Sequence, residues 1–332
     1  MATFAKGVLN SINPFSSKQG PIPTNTINRG MDSKYLTSMI GTPGAGKTTT
    51  AAELFLTART LQQQLPDFYC DVDDRNSSIM LDISNIQRGH FPPKTKAYNN
   101  FAYQYGLKMW WGGKNFLTSK KSMSVPLCDI AGEDLAANSQ YNTGRPDPIA
   151  FSSAMKLVEY VYNSDIFILI APASRALLFE DDCQVEREDE DLAFDPDVNL
   201  ASMAGAIFNR RRELNKPIKG VLLFLTKCDM IDAYVEKQHG WSLYKNDGDR
   251  QEFLNLYFPF TSMKLKALTS EWPTQIGIFP MFIQTKKNSD GTVKHWETGT
   301  DKGPMIDVEA RQIKYSAAQC VEAINFMGKL IT

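Results

Sequence analysis

A short glycine-rich segment, GTPGAGKTTT at residues 41–50, has the residue types and the spacing of a phosphate-binding loop. Gly46, Lys47 and Thr48 follow Gly41 in the pattern G-x-x-x-x-G-K-S/T, the sequence form of a P-loop. Glycines let successive backbone N–H groups converge on phosphate oxygens, because no Cβ stands in the way. Lys47 would reach the β- and γ-phosphates, and Thr48 would place its hydroxyl on Mg²⁺. The predicted phosphate-binding residues are Gly41, Thr42, Pro43, Gly44, Ala45, Gly46, Lys47, Thr48 and Thr49.

Two further segments could complete a nucleotide site. Asp129 ends the apolar segment PLCD and could hold Mg²⁺ through water, while the N–H of Gly132 contacts the γ-phosphate. Asp229 closes the segment 226–229, TKCD, where its carboxylate could accept the N1–H and amino hydrogens of guanine. The stem of Lys227 would lie along the base. Adenine lacks this pair of donors, so the segment favours a guanine nucleotide.

The elements that must position these residues follow from hydrophobic patterning. Residues 34–40 predict a buried strand before the loop, and residues 48–65 place Leu54, Ala58 and Leu61 at helical spacing after it. Further strands are predicted at 164–174, 220–229 and 276–285, a hairpin over 99–130, and helices at 76–89, 148–162, 199–214, 250–271 and 308–330. This alternation predicts an α/β fold with a doubly wound, mostly parallel sheet, helices on both faces and one antiparallel hairpin. Ligands bind such sheets at the carboxyl ends of the strands.

Composition excludes several other classes of protein. The chain has 332 residues, a net charge of −1 and therefore no basic footprint for nucleic acid. Its five cysteines form no C-x-x-C pair and its three histidines are scattered, which argues against a disulfide framework and a zinc site. No run of 18 apolar residues or signal-peptide core is present, so a soluble, cytoplasmic protein is expected.

The order of P-loop, D-x-x-G and N/T-K-x-D, each after an apolar strand, resembles the P-loop GTPases with a Ras-like G domain, over about residues 34–332. The loop G-x-F-P-x-x-T and the form D-x-x-G-E are similar to those of divergent microbial GTPase-like proteins. The resemblance implies binding of GTP or GDP with Mg²⁺ and slow hydrolysis of GTP. It also implies a switch formed by residues 89–98 and 129–145.

The resemblance assigns roles to further residues. Thr95 in GHFPPKT corresponds to the first-switch threonine that closes on Mg²⁺ and the γ-phosphate, and Thr285 and Lys286 correspond to the last base-binding loop. An effector protein that recognises the GTP state is implied as a partner, as is an activating or exchange factor. The implied catalytic residues are Lys47, Thr95, Gly132 and Glu133, and the implied metal ligands are Thr48, Thr95 and Asp129.

The sequence departs from the family pattern at two site positions. Glu133 replaces the glutamine that usually orients the attacking water and adds negative charge near the phosphates. Its carboxylate could accept a hydrogen bond from that water, or it could leave hydrolysis to a group of a partner. Thr226 replaces the commoner asparagine, but a threonine hydroxyl can still bridge to the P-loop. Two alternatives stay open: an ATPase or nucleotide kinase that shares the P-loop, and a non-catalytic pseudo-GTPase.

Two segments lie outside the pattern of the family. Residues 1–33 predict an N-terminal tail, for which disorder is favoured over a peripheral membrane contact. The apolar residues of that contact would be Phe4, Val8, Leu9 and Phe15. An acidic insertion at about 175–198 is expected to be a solvated loop rather than a docking site for a basic partner.

Overall fold

The structure is a computed structural model that describes residues 35–42, 44–73, 78–92, 103–111, 121–129, 161–177, 195–289, 293–298, 301–309 and 312–331. Predictions for Pro43, Thr95, Gly132 and Glu133 lie outside these residues. So do the N-terminal tail, most of the acidic insertion and most of the helix predicted at 148–162.

Within the described residues, one sheet of seven strands forms the centre of the fold. The strands are β1 Tyr35–Gly41, β2 Phe68–Asp73, β3 Tyr103–Trp111, β4 Lys121–Asp129, β5 Ile166–Pro172, β6 Gly220–Thr226 and β7 Gln275–Pro280. Their order is β2-β3-β4-β1-β5-β6-β7. Strands β4, β1, β5, β6 and β7 are mutually parallel, and β3 is antiparallel to β2 and β4.

Helices cover both faces of the sheet. Their bounds are α1 Lys47–Gln64, α2 Ser78–Gln87, α3 Ala173–Ala176, α4 Pro196–Glu213, α5 Asp232–His239, α6 Asp247–Tyr257, α7 Pro259–Glu271 and α8 Ala317–Ile331. One core joins α1, α2 and α8 to the sheet, and a second core joins α4, α5, α6 and α7 to the opposite face. Successive side chains of a strand point to opposite faces of the sheet, so a central strand contributes to both cores. In β5, Ile168 and Ile170 lie in the first core, whereas Phe167 and Leu169 lie in the second.

This architecture confirms the predicted fold class, an α/β fold with a doubly wound, mostly parallel sheet and an antiparallel hairpin formed by β3 and β4. It is the arrangement of a P-loop NTPase of the G-domain type. Among the described residues, no helix is long and apolar enough to cross a membrane.

Three predicted elements differ from those observed. The helix predicted at 250–271 is two helices, because Pro259 lacks an N–H and ends α6 while starting α7. The strand predicted at 276–285 ends at Pro280, since its neighbour β6 has already ended at Thr226. The helix predicted at 308–330 begins only at Ala317.

The sequence before α8 forms small antiparallel pairs instead of a helix. Strands β8 His295–Thr298 and β9 Asp301–Pro304 form one pair, and β10 Val308–Glu309 and β11 Gln312–Ile313 form another. Val308 and Ile313 pack against the first core, so tertiary contacts outweigh the helical spacing there.

The parallel strands bring their carboxyl ends to one edge of the sheet, as predicted. Gly41 is level with Ile170 of β5, and Pro172 is level with Thr226 of β6. Tyr35 pairs with Met123 of β4, so Gly41 and Asp129 stand six residues further along each strand. The segments predicted to bind phosphate, metal and base follow β1, β4 and β6, and they therefore start at the same edge of the sheet.

Candidate nucleotide-binding site

The segment between β1 and α1 has the backbone of a phosphate-binding loop. Gly44 and Gly46 have φ angles of +67° and +81°, in the left-handed region that favours glycine. Gly46 stands at the N-cap position of α1, and its lack of a side chain leaves the first N–H groups of the helix accessible to an anion. The positive end of the helix dipole adds to the attraction.

Lys47 brings its charge to the same loop. Its Nζ donates to the carbonyl oxygen of Gly41 at 3.2 Å and to that of Thr42 at 3.4 Å, so the ammonium group lies across the loop. Thr48 and Thr49 follow in the first turn of α1 and are partly exposed. The arrangement concentrates positive charge where a phosphate chain would lie.

A buried hydrogen bond joins residues 226–229, the predicted base-binding segment, to this loop. The hydroxyl of Thr226, at the end of β6, donates to the carbonyl oxygen of Ala45 at 2.8 Å, with the carbonyl of Ala171 at 3.3 Å. This is the bridge that the sequence predicts for a threonine at position 226. Lys227 follows with a φ of +59°, and a short 3-10 helix, Cys228–Met230, then carries Asp229.

Asp229 lies at this edge with its side chain exposed. Loss of hydration among the surrounding loops raises the pKa of its carboxyl to about 6, and the positive charges of Lys287 and Lys227 oppose the rise. Because the side chain is exposed, water screens part of this rise, and the carboxylate is the main form at neutral pH. A carboxylate can accept the paired N–H donors of guanine.

The segment after β7 lies against the base-binding segment. The N–H of Cys228 donates to the carbonyl of Met281 at 3.2 Å. Further along, Thr285 forms an isolated bridge with Ile306, and the N–H of Lys286 donates to the carbonyl of Met305 at 2.9 Å. The role of Thr285 and Lys286 in base binding stays a prediction, as does the coordination of metal by Asp129.

A buried acid, Glu53, lies on the inner side of α1 beneath the base-binding segment. It is only 2% exposed, and its carboxyl hydrogen-bonds with the hydroxyl of Ser316. Burial raises the pKa of Glu53 well above its ordinary value, and the negative charge of Asp229 raises it further. The side chain is therefore held in its neutral form at a pH where an exposed glutamate is charged.

Three residues near the site, Glu53, Lys287 and Arg175, are not among those predicted from the sequence. Arg175 lies beside the P-loop and follows the buried strand β5, so the strand-end rule that selects Asp129 and Thr226 would also have selected it. Glu53 carried no such signal, because a glutamate within a helix is usually solvent-exposed. Lys287 is found only through its position near Asp229.

No family model and no curated protein matches the chain. Among solved structures, SsGBP in complex with GDP aligns at 16% identity and a TM-score of 0.25, over 84% of this chain and 50% of that chain. A GTP-binding protein from the hyperthermophilic archaeon Sulfolobus solfataricus in complex with GDP aligns at 16% identity and a TM-score of 0.27, over 77% and 48%. The signal recognition particle receptor SRb-GTP/SRX complex from Chaetomium thermophilum aligns at 10% identity and a TM-score of 0.31, over 74% and 93%. This chain spans about half the length of the first two proteins, and what it binds is inferred from its own residues.

The bridge from Thr226 to Ala45 can be tested with Thr226→Val, which removes the hydroxyl and keeps the shape. We expect a loss of about 1–3 kcal/mol in the free energy of unfolding, because the buried carbonyl of Ala45 loses its donor. We also expect GTP affinity to fall by about tenfold, since the two halves of the site lose their contact. Urea denaturation and calorimetric titration would measure the two effects.

Thr274→Val is the matched control for this change. Thr274 is also 7% exposed, like Thr226, and its hydroxyl donates to the carbonyl of Ile218 at 2.7 Å at the opposite edge of the sheet. This control should lose similar stability and keep its GTP affinity. Equal losses of affinity in both variants would show that the bridge has no particular role in the site.

Replacing Glu53 tests whether its carboxyl is held neutral. A carboxyl with a raised folded-state pKa contributes stability that is fully present below its ordinary pKa and is lost as the pH rises through the folded-state value. The glutamine side chain of Glu53→Gln has no proton to lose. We therefore expect the free energy of unfolding of Glu53→Gln to rise relative to that of the wild type by up to about 1.4 kcal/mol per pH unit, between the ordinary pKa of a glutamate and the raised folded-state pKa. Urea denaturation over a series of pH values would measure this gain.

Asp197→Asn is the control at a second buried carboxyl. Asp197 accepts the N–H groups of Phe260 and Thr261 at 2.8 and 2.7 Å. Removing an acceptor should cost about 1–3 kcal/mol. A constant difference between Glu53→Gln and wild type at every pH would contradict the interpretation that Glu53 is neutral.

Proposed function

We propose that this protein binds GTP and GDP with Mg²⁺, hydrolyses GTP slowly and acts as a nucleotide-dependent switch. The observation that best supports the proposal is the hydrogen bond from Thr226 to Ala45, because it holds a guanine-type segment against a phosphate-binding loop. Lys47 and Asp229 then lie on the same edge of the sheet, one suited to phosphate and the other to the base. A chance P-loop sequence would not be expected to have this second contact.

The residues of the site divide into three roles under this proposal. The backbone of residues 41–49 and the charge of Lys47 bind the phosphates. Lys227, Asp229, Thr285 and Lys286 bind the base. Mg²⁺, which prefers oxygen ligands, would be held by Thr48, Thr95 and Asp129 and would neutralise charge that develops on the phosphates.

The switch would involve residues 89–98 and 129–145, which contain Thr95, Gly132 and Glu133. Each range adjoins a described element, because α2 ends at Gln87 and β4 ends at Asp129. A γ-phosphate would order both ranges through Thr95 and Gly132, and hydrolysis would release them. An effector protein would recognise the ordered form, and an activating or exchange factor would set the rate of the cycle.

Specificity for guanine is tested by Asp229→Asn. The substitution turns one carboxylate acceptor into a donor, which mismatches the amino group of guanine and suits the carbonyl that xanthine carries there. A bidentate base contact contributes roughly 1–3 kcal/mol of discrimination, so we expect GTP affinity to fall about tenfold or more and XTP to gain relative to GTP.

Calorimetric titration of both proteins with GTP, XTP and ATP measures the change. Asp232→Asn is a suitable control, because Asp232 lies on the neighbouring α5 outside the T-K-x-D motif. Wild-type protein that prefers ATP would instead support the ATPase or kinase alternative. An unchanged ranking in Asp229→Asn would show that the segment 226–229 does not bind the base.

Hydrolysis is tested in a single turnover with Glu133→Gln. If the carboxylate positions the attacking water, the rate constant should fall by roughly tenfold or more. Glu213→Gln is the control, since Glu213 pairs with Arg210 on an exposed helix end far from the P-loop. A faster rate in Glu133→Gln would show that its charge hinders hydrolysis, and no turnover in the wild type would support the pseudo-GTPase alternative.

A further inference from the structure

Arg175 is a largely buried arginine at the edge of the sheet that carries the P-loop. It lies on the short helix α3, which follows β5 directly, and β5 is the strand between β1 and β6. Helix α3 packs beside β6 and the 3-10 helix that carries Asp229. Only 9% of Arg175 is exposed, so its place is set by the surrounding fold and not by solvent.

The guanidinium group of Arg175 lies against Gly44 of the P-loop. A Cβ on Gly44 would stand 2.9 Å from Nη2 of Arg175, and 3.6 Å from Cζ. The arginine thus occupies the space that a side chain at this loop position would need. Position 44 is one of the variable positions of the P-loop pattern, and here its positive φ favours glycine, which leaves room for the guanidinium.

Three groups that attract anions lie around Gly44. They are the guanidinium of Arg175, the ammonium of Lys47, which lies across the same loop, and the N-terminus of α1. Positive groups placed close together repel one another, and burial removes hydration from Arg175. A chain of phosphates offsets both costs, and the planar fork of a guanidinium matches phosphate oxygens in geometry.

We propose that Arg175 is a phosphate-binding residue of the nucleotide site, donating to the polyphosphate of the bound nucleotide beside Gly44 and complementing Lys47. This inference rests on the proposed function, because it takes a nucleoside triphosphate as the ligand of the P-loop. The residue follows β5, a strand that carries none of the predicted nucleotide-binding motifs. It gives the site a second fixed cation on the side of the loop that faces β6.

The test compares Arg175→Gln and Arg175→Lys with wild type in titrations with GTP and GDP at several salt concentrations. Arg175→Gln should bind GTP about tenfold more weakly or worse. Its affinity should also depend less on salt, because one charge–phosphate contact is gone. Arg175→Lys should recover most of the affinity and the wild-type salt dependence, since it keeps the charge.

Arg211→Gln is the matched control for the loss of a buried guanidinium. Arg211 is 2% exposed and donates to the carbonyls of Tyr162 and Pro217 near the opposite edge of the sheet. The Arg211→Gln variant should be less stable than the wild type and should keep its GTP affinity. Unchanged affinity in Arg175→Gln would overturn the inference, as would equal losses in Arg175→Gln and Arg175→Lys with an unaltered salt dependence.

If Arg175→Gln does not fold, arginine side-chain NMR on the wild-type protein decides, with Arg175→Lys used for assignment: the Arg175 resonance should shift when GTP is added, and a fixed resonance overturns the inference. Wild-type protein that does not bind GTP would refute the proposed function itself. Wild-type protein that binds GTP tightly while Arg175→Gln binds it equally well would refute only the role of Arg175.

Discussion

The hydrogen bond from the Thr226 hydroxyl to the Ala45 carbonyl is the contact on which the geometry of the site depends. It spans from β6 to the P-loop across the end of β5, and it is buried, so both groups would lose free energy if they separated without water to replace the bond. The distance between the phosphate-binding loop and the base-binding segment is therefore set by one short contact between rigid elements.

Charged groups lie on both sides of this contact, positive ones beside the P-loop and acidic ones near residues 226–229. Positive groups lie beside the P-loop, namely Lys47, Arg175 and the N-terminus of α1. Beneath the base-binding segment, burial raises the pKa of Glu53 well above its ordinary value, which keeps a second negative charge away from Asp229. Asp229 itself is exposed at this edge of the sheet. The three consecutive arginines of α4 play no part in this arrangement, because Arg210 and Arg212 pair with Glu213 and Glu271, and Arg211 is buried near Asp165.

The elements that sequence patterning predicted well are those with one dominant signal. Strands β5 and β6 are apolar on both faces and lie within the predicted ranges. Helix α1 follows the P-loop glycine and begins at Lys47. The missed strand β2 does show an alternation, with Phe68 and Cys70 buried and Tyr69 exposed, but a run so short is ambiguous without its partner β3. The residues before α8 have helical spacing and nevertheless form the short pair of β10 with β11, because Val308 and Ile313 pack against the first core and Tyr315 bridges to the distant Ile283.

The sequence alone predicted the class of fold, which the structure confirms, and it supplied the motifs from which nucleotide binding is proposed, because glycines, a lysine and strand-end acids at fixed spacing have few other uses. Only the tertiary structure decided that Thr226 bonds to Ala45, that Glu53 is buried beneath the base-binding segment and that Arg175 lies against Gly44. These contacts join residues far apart in the chain. Their distances depend on how neighbouring strands align and on how helices pack across the sheet, and local residue patterns carry no record of either.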